Sequence, residues 1–412
     1  MPGKKLNKTK KLFFLLLLFS WQVQAQNKIV AYLPNWLDYN VMASNINYAK
    51  LTHLNIAFEN PDAAGNLSYN PVNDKLIELA HAKKVKVLVS VGGGAISSDP
   101  SRYAVYFNLI SDAHRAAFVN KIAAYLTAHN LDGIDVDLEG PSINNDYGKF
   151  IADLSNVLKP QGKLVTAALA HTNGGDAVPS SVFPYFDFIN IMAYDETGPW
   201  APARPGQHAS MEFARACLDN WIGRGLPKEK AVLGVPFYGY GFNADFNQGI
   251  GFAEIISRFP GTENQDQVGN TIYYNGIPTI KAKADYVAEE QYGGIMIWQV
   301  AQDATGNFSL LDIIYQALNK VTSVPEIGLE AVNIYIYPNP TKLPSAGYLA
   351  FPASTNKLKI DIRDLKGGRV YDKTFKNKQH VERIELPSLS PGMYIIRVKA
   401  DSRIYSNKYL IE

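Results

Sequence analysis

Cysteine is nearly missing from this chain: Cys217 is the one such residue in 412. A disulfide framework within the chain and a thiolate metal site are both excluded, so stability has to come from packing. Long apolar runs are missing too, except near the N-terminus, and no later stretch reads as transmembrane. There is no internal repeat and no low-complexity tract. No sign of charge dominates, with 40 Lys and Arg against 38 Asp and Glu. The two signs are nevertheless segregated. Residues 334–412 carry 14 basic and 7 acidic side chains, and residues 26–333 carry 21 basic and 31 acidic ones. An acidic main body repels phosphate backbones and argues against nucleic acid as substrate.

Hydrophobic residues make up 47% of the chain, enough for a sizeable core. Aromatics reach 12%, with rings to spare for stacking at a surface. At the N-terminus, Lys4, Lys5, Lys8, Lys10 and Lys11 precede the short apolar run Leu12 to Phe19, and Val23-Gln24-Ala25 offers small residues to a signal peptidase. Residues 1–25 are therefore expected to be a signal peptide, removed after Ala25.

Eight strand-like runs follow: Lys28 to Leu33, Leu51 to Phe58, Lys84 to Val91, Leu131 to Leu138, Lys163 to Leu169, Phe186 to Ala193, Ala231 to Phe237 and Gly293 to Gln299. Helical patterns fall between most of them, as at Asp112 to His129, Asp146 to Leu158 and Ser210 to Arg224. Alternation of strand and helix implies parallel pairing, and eight units predict a closed (β/α)8 TIM barrel over residues 26–320. An open doubly wound sheet competes, but it wants a Gly-rich phosphate loop after its first strand, where this chain has Pro34-Asn35-Trp36. A short insertion is expected near residues 240–279, on the catalytic face. Residues 321–333 read as a linker. Residues 334–412 read as a small all-β sandwich, with runs at Leu358 to Ile362, Arg369 to Phe375, Val381 to Leu386 and Met393 to Val398.

The stretch richest in chemistry is Leu131-Asp132-Gly133-Ile134-Asp135-Val136-Asp137-Leu138-Glu139-Gly140. Side chains alternate across a strand, so Asp135, Asp137 and Glu139 share one face and Ile134, Val136 and Leu138 the other. In a barrel the apolar face meets the helices and the carboxylates point inward. Glu139 then sits at the C-terminal end, where barrel enzymes keep their active sites. Inward carboxylates about 7 Å apart repel each other, and burial disfavours their charged forms. One member must hold a proton near neutral pH, which makes a general acid. The titrations are expected to be coupled. The bland alternative is a solvated edge strand, which the wholly apolar opposite face argues against. A divalent cation is the other alternative, but no His lies nearby and a row on one strand is poor octahedral geometry.

This segment resembles the DxxDxDxE signature of glycoside hydrolase family 18, which includes chitinases and endo-β-N-acetylglucosaminidases. Ser90-Val91-Gly92-Gly93 is similar to that family's SxGG, and Met192-Ala193-Tyr194-Asp195, with Gly198 and Trp200, to its MxYD region. Trp298 resembles the tryptophan of its eighth strand, and Tyr32 with Trp36 its first-strand YxxxW. The matches come in barrel order over about residues 27 to 320.

The resemblance implies hydrolysis of β-1,4-linked N-acetylglucosamine polymers with retention, the nucleophile being the substrate's own 2-acetamido group. It implies that Glu139 is the proton donor, that Asp137 steadies the acetamido N–H, that Asp135 relays charge to Asp137, and that Tyr194 donates to the acetamido oxygen. Substrate contacts are expected from Asp195, Met192, Trp298, Tyr32, Trp36, Trp200, Ser90 and Tyr238. Packing alone competes with stacking for Tyr32, Trp36 and Trp200, and Ser90 suits a hydrogen-bond supporter of the Asp cluster. No metal and no cofactor are expected, and the chain is expected to be a monomer. The insertion is shorter than in the larger chitinases, which favours a shallow, endo-acting cleft. An endo-β-N-acetylglucosaminidase and a non-catalytic N-acetylglucosamine-binding lectin remain the alternatives.

The C-terminal region resembles the type IX secretion sorting domain, on Tyr337-Pro338-Asn339-Pro340, the Asp364-Leu365-Lys366-Gly367-Gly368 turn, Leu389 to Tyr394, and Lys408-Tyr409-Leu410-Ile411. It implies handling by type IX secretion machinery, with release from the cell or attachment to its outer surface. A carbohydrate-binding module is the rival reading, and the domain's lack of Trp argues against it.

Overall fold

A computed structural model describes residues 27–242, 249–319, 335–337, 347–350, 355–378, 381–384, 389–400 and 403–411. The expected signal peptide and the expected linker lie outside them. The chain forms two compact units, residues 1–320 and 321–412.

In the first unit eight parallel strands close into a barrel: β1 (Lys28–Pro34), β2 (His53–Ala57), β3 (Lys86–Gly92), β4 (Gly133–Asp137), β5 (Leu164–Leu169), β6 (Phe188–Ile191), β7 (Ala231–Pro236) and, after four short strands, β12 (Gly294–Trp298). Each falls on one of the eight runs read from the sequence. β1 pairs with β12, so the sheet has no free edge. Helices at Asn73–His81, Arg115–Ala128, Tyr147–Leu158, Met211–Gly223, Ile277–Glu289 and Leu310–Leu318 pack outside. Between β5 and β6 only 3-10 turns intervene. Two of those helices, Met211–Gly223 and Leu310–Leu318, start where capping side chains stand. Ser210 accepts from the Phe213 N–H at 3.0 Å, and Asp303 accepts from the Leu310 N–H at 2.7 Å. Caps of this kind contribute about 1 kcal/mol each.

Ile134, Val136 and Leu138 are fully buried in the layer between β4 and the helices. The helix Tyr147–Leu158 turns Tyr147, Phe150, Ile151, Leu154 and Leu158 into the same core. Each such side chain contributes roughly 1.5–3 kcal/mol. Cys217 is fully buried on the inner face of Met211–Gly223, and burial pushes its thiol up to about 12.

The insertion after β7 is a four-stranded antiparallel sheet: β8 (Tyr238–Gly241), β9 (Gly249–Gly251), β10 (Gln267–Val268) and β11 (Ile272–Tyr273), with a helix at Phe252–Arg258. It begins two residues earlier than the sequence reading placed it, because Tyr238 already pairs with Gly251.

The second unit is all β among its described residues. β13 (Tyr335–Tyr337), β14 (Gly347–Ala350) and β17 (Val381–Ile384) make one antiparallel sheet; β15 (Thr355–Asp364), β16 (Arg369–Lys378), β18 (Gly392–Ala400) and β19 (Arg403–Ile411) make another. Leu358, Ile360, Ile362, Ile396, Val398, Tyr409 and Ile411 form its core. Asp364 closes the turn to Gly368 by accepting from the N–H groups of Lys366 and Gly368 at 2.9 and 2.8 Å. Among the described residues no helix is long and apolar enough to cross a membrane.

Candidate active site

β4 carries Asp135 and Asp137 into the barrel interior, and Glu139 follows just beyond the strand's C-terminal end. The three carboxyl groups sit in different surroundings. Asp135 is fully buried and held by four donors: Tyr32 and Ser90 reach Oδ2 at 2.6 and 2.8 Å, and Thr166 and Asn190 reach Oδ1 at 2.6 and 3.3 Å. Burial raises its pKa even against those donors. Asp137 is 4% exposed, and its Oδ1 has no hydrogen-bond partner among the described residues. Burial first, then the charges of Glu139 and Asp135, hold it well above the usual carboxylate range. Glu139 is half-buried, accepts from Asn173 Nδ2 at 3.3 Å, and is pushed up to about 7. Burial is the main cause, the Asn173 donor opposes it, and the charge of Asp195 adds to it.

A pocket of about 310 Å3 opens above them. Its lining includes Asp137, Glu139, Met192, Tyr194, Asp195, Trp36, Phe58 and Trp298. Trp298 lies 5.8 Å from Phe58, with their planes 26° apart, and 5.6 Å from Tyr32. Trp36 packs on Phe58 at 6.4 Å while remaining 64% exposed. Asp195 has φ +63, an uncommon backbone state for a non-glycine residue. Its Oδ1 accepts from the Tyr238 hydroxyl at 2.5 Å and lies 3.4 Å from Nδ1 of the buried His208. His208 Nε2 faces the Tyr238 carbonyl at 3.3 Å, so that nitrogen carries a proton. Burial first, then the charges of Asp137 and Asp195, hold the Tyr194 hydroxyl protonated.

Glycine is required where β3 ends. Gly92 has φ +107, and a Cβ there would lie 2.1 Å from the Asp137 carbonyl oxygen. The adjacent Gly93 N–H donates to that same oxygen at 2.7 Å. This close approach fixes where Asp137 stands.

The sequence-expected residues divide into two groups. Glu139, Asp137, Tyr194, Asp195, Met192, Trp298 and Trp36 line one pocket. Asp135, Tyr32, Ser90 and Tyr238 stand behind it. Tyr32 is 1% exposed with its hydroxyl on Asp135, so it is a support of the carboxylate cluster and not a stacking platform. Ser90 does the same, and Tyr238 holds Asp195. Trp200 is 59% exposed, packs edge-on against Tyr240 at 5.1 Å, and is not among the residues lining the pocket. Reading the sequence missed Phe58, Asn173, Thr166, Asn190 and His208. Thr166 had a signal available: it pairs with Asp135 across the β4–β5 ladder, as Ser90 does across β3–β4. Among the described residues no group of three or more His, Cys, Asp or Glu side chains is arranged to hold a metal ion.

Known proteins resemble this chain over most of its length. A GH18 chitinase from the chitin utilization locus of Flavobacterium johnsoniae is 40% identical, with a TM-score of 0.67, over 71% of this chain and 94% of its own. Chitotriosidase-1 of Mus musculus is 25% identical over 81% of this chain and 86% of its own. A chitinase-like agglutinin of Robinia pseudoacacia, 21% identical with a TM-score of 0.60, covers 70% of this chain and 99% of its own, and shares the fold. The profile of the secretion system C-terminal sorting domain matches residues 335–412. That of the glycosyl hydrolases family 18 matches residues 28–303, which span the whole barrel and every carboxylate just described. The chain belongs to glycosyl hydrolases family 18 and is a glycosidase of its chitinase group.

Proposed function

We propose that this enzyme hydrolyses β-1,4-linked N-acetylglucosamine polymers, chitin or chitooligosaccharides, with retention of configuration and with the substrate's acetamido group as nucleophile. The observation that carries the reading is the buried, unpartnered Oδ1 of Asp137 beside a Glu139 pushed up to about 7, so that a substantial fraction keeps its proton near neutral pH. An unpaired buried acceptor is costly unless a ligand supplies a donor, and an acetamido N–H is such a donor.

Glu139 gives its proton to the glycosidic oxygen as the bond to C1 breaks. The acetamido carbonyl oxygen forms the new bond to C1, and the positive charge spreads over the resulting oxazolinium ring. Asp137 accepts the N–H and balances that charge, and the Tyr194 hydroxyl donates to the oxygen. Water then attacks C1, Glu139 takes its proton, and the ring reopens. Two displacements at C1 leave the configuration retained. Asp135, saturated by four donors, biases the shared proton of the cluster toward Asp137 and Glu139. Trp298, with Trp36 at the rim, offers ring faces for stacking on sugars.

The domain plan belongs to the same reading: a signal peptide over residues 1–25, the catalytic barrel over 26–320, a linker, and a sorting domain from 334. The tail suggests export, followed by release or attachment at the outer surface.

The test is release of reducing ends from colloidal chitin and from a high-mannose glycoprotein, by wild type and Glu139→Gln side by side. Release from chitin by wild type, lost in the variant, is the expected result. Release from the glycoprotein alone would move the substrate to N-glycan cores. Binding of sugar without turnover of either would leave a lectin.

A further inference from the structure

The proton donor has one hydrogen-bond partner for its side chain that lies outside every motif read from the sequence. Asn173 sits on the loop after β5, and its Nδ2 donates to Oε2 of Glu139 at 3.3 Å. The loop is fastened beside the acid in three ways. The Gly140 N–H donates to the Asn173 carbonyl at 3.1 Å. A Cβ on Gly140 would lie 2.6 Å from Asn173 Oδ1, so the amide oxygen is packed over that glycine. A Cβ on Gly174 would lie 2.6 Å from the Gly140 nitrogen, so the next residue is pressed onto the same backbone. With its oxygen turned to Gly140, the amide has its N–H groups left for the carboxyl. On the opposite side Gly94 presents no side chain, and even a Cβ there would stay 3.8 Å from Oε1.

We propose that Asn173 is a positioning residue for the proton donor, occupying Oε2 so that the acid's proton resides on Oε1 and is aimed into the pocket. This rests on the reading of Glu139 as the acid. An oxygen that accepts an N–H is the poorer site for a proton, so the proton goes to its partner oxygen. The rotamer that places Oε1 toward the glycosidic oxygen is the one the amide holds. The groups facing Glu139 are Asp137 from β4, Tyr194 and Asp195 from beyond β6, Asn173 from the β5 loop, and Gly94 and Ala95 from the segment after β3. No Lys, Arg or His lines the pocket among the described residues. The Asn173 amide is thus the group opposing burial and negative charge at this carboxyl.

The experiment is the pH profile of kcat and KM on a soluble chromogenic chitooligosaccharide for wild type, Asn173→Ala, Asn173→Asp and Glu139→Gln, each checked for folding by thermal melting. Losing the donor favours the protonated acid, so the alkaline limb of kcat/KM moves to higher pH in Asn173→Ala and further in Asn173→Asp. With the carboxyl no longer held, kcat at the optimum falls about tenfold while KM changes less than about twofold. An alkaline limb that stays in place, or moves to lower pH, overturns the proposal. The latter would mean that Oδ1 accepts the acid's proton instead. Asn173→Asp is nearly isosteric and keeps the loop, so it answers the question if Asn173→Ala does not fold. Full turnover by Glu139→Gln would instead remove the acid assignment itself, whatever the Asn173 variants do.

Discussion

The hydroxyl of Tyr32 donates to Oδ2 of Asp135 at 2.6 Å, joining β1 to β4 through the inside of the barrel although the two strands are not neighbours in the sheet. Asn190 Nδ2 also donates to that hydroxyl, at 3.0 Å. Tyr32→Phe therefore unmakes two links in a buried network. It is expected to destabilise the fold by about 1–3 kcal/mol in denaturant titration and to lower kcat with little change in KM. A KM increase without a kcat loss would return Tyr32 to the role of a sugar platform.

Turnover that needs a protonated Glu139 declines as pH rises through about 7. The charge of Asp195 contributes to that raised value, so Asp195→Asn moves the alkaline limb of kcat/KM to lower pH. This is the opposite direction from the Asn173 variants, and the two sets measured together check each other.

The acid also weakens the fold. Its native pKa, about 7, lies above its ordinary 4.5. Between those values the native state holds a proton that the unfolded chain has released, so stability declines as pH rises through that window and stays low above it. Glu139→Gln is expected to gain roughly 1 kcal/mol on wild type at pH 8 and nothing at pH 4, read as melting temperatures. Equal melting at both values would mean that the carboxyl is solvated.

Lys283 is fully buried and donates to the Ala209 carbonyl and to Asn275 Oδ1, both at 2.7 Å. Burial lowers its pKa from 10.5 to about 7. As pH falls from 10.5 to 7, the unfolded chain takes up a proton that the native state refuses, so this group's contribution makes stability decline as pH falls across that range. Lys283→Met should flatten the melting temperature over pH 7 to 10 relative to wild type. A slope unchanged by the substitution would place the titration elsewhere.

Gly92→Ala combines a strained φ of +107 with a Cβ placed 2.1 Å from backbone. A loss of more than about 3 kcal/mol, or failure to fold, is expected. Gly162→Ala serves as control, since φ is +72 there and nothing lies within 4 Å of the added atom. Soluble, active Gly92→Ala enzyme would show that β3 and β4 can part without harm.

Period and residue type made the barrel legible before any coordinates. The apolar runs mark the eight strands because nearly all of their residues are buried, and β4 interrupts its inner face with the buried carboxylates Asp135 and Asp137. The carboxylate row was readable for the same reason. Depth was not. Tyr32 and Trp36 stand four residues apart with similar rings, yet one is sealed against Asp135 and the other is open to solvent. Nothing local distinguishes them, since burial depends on where β1 ends relative to its neighbours. Phe58, Asn173 and His208 were invisible because each reaches the site from a different loop, through contacts that only closure of the barrel creates. Strand β19 escaped as a run because Lys408 alternates with the buried Tyr409 and Ile411, and short alternation at a chain end looks like any polar tail.

The sorting tail, which suggests export, gives Cys217 a different meaning. A thiol that is fully buried and ionises only near 12 presents no thiolate to an oxidant or to a disulfide-exchange enzyme. With no second cysteine in the chain, any mispairing would have to be with another molecule, and this sulfur is out of reach. The folded enzyme therefore offers no reactive thiol, and thiol reducing agents should neither activate nor inactivate it.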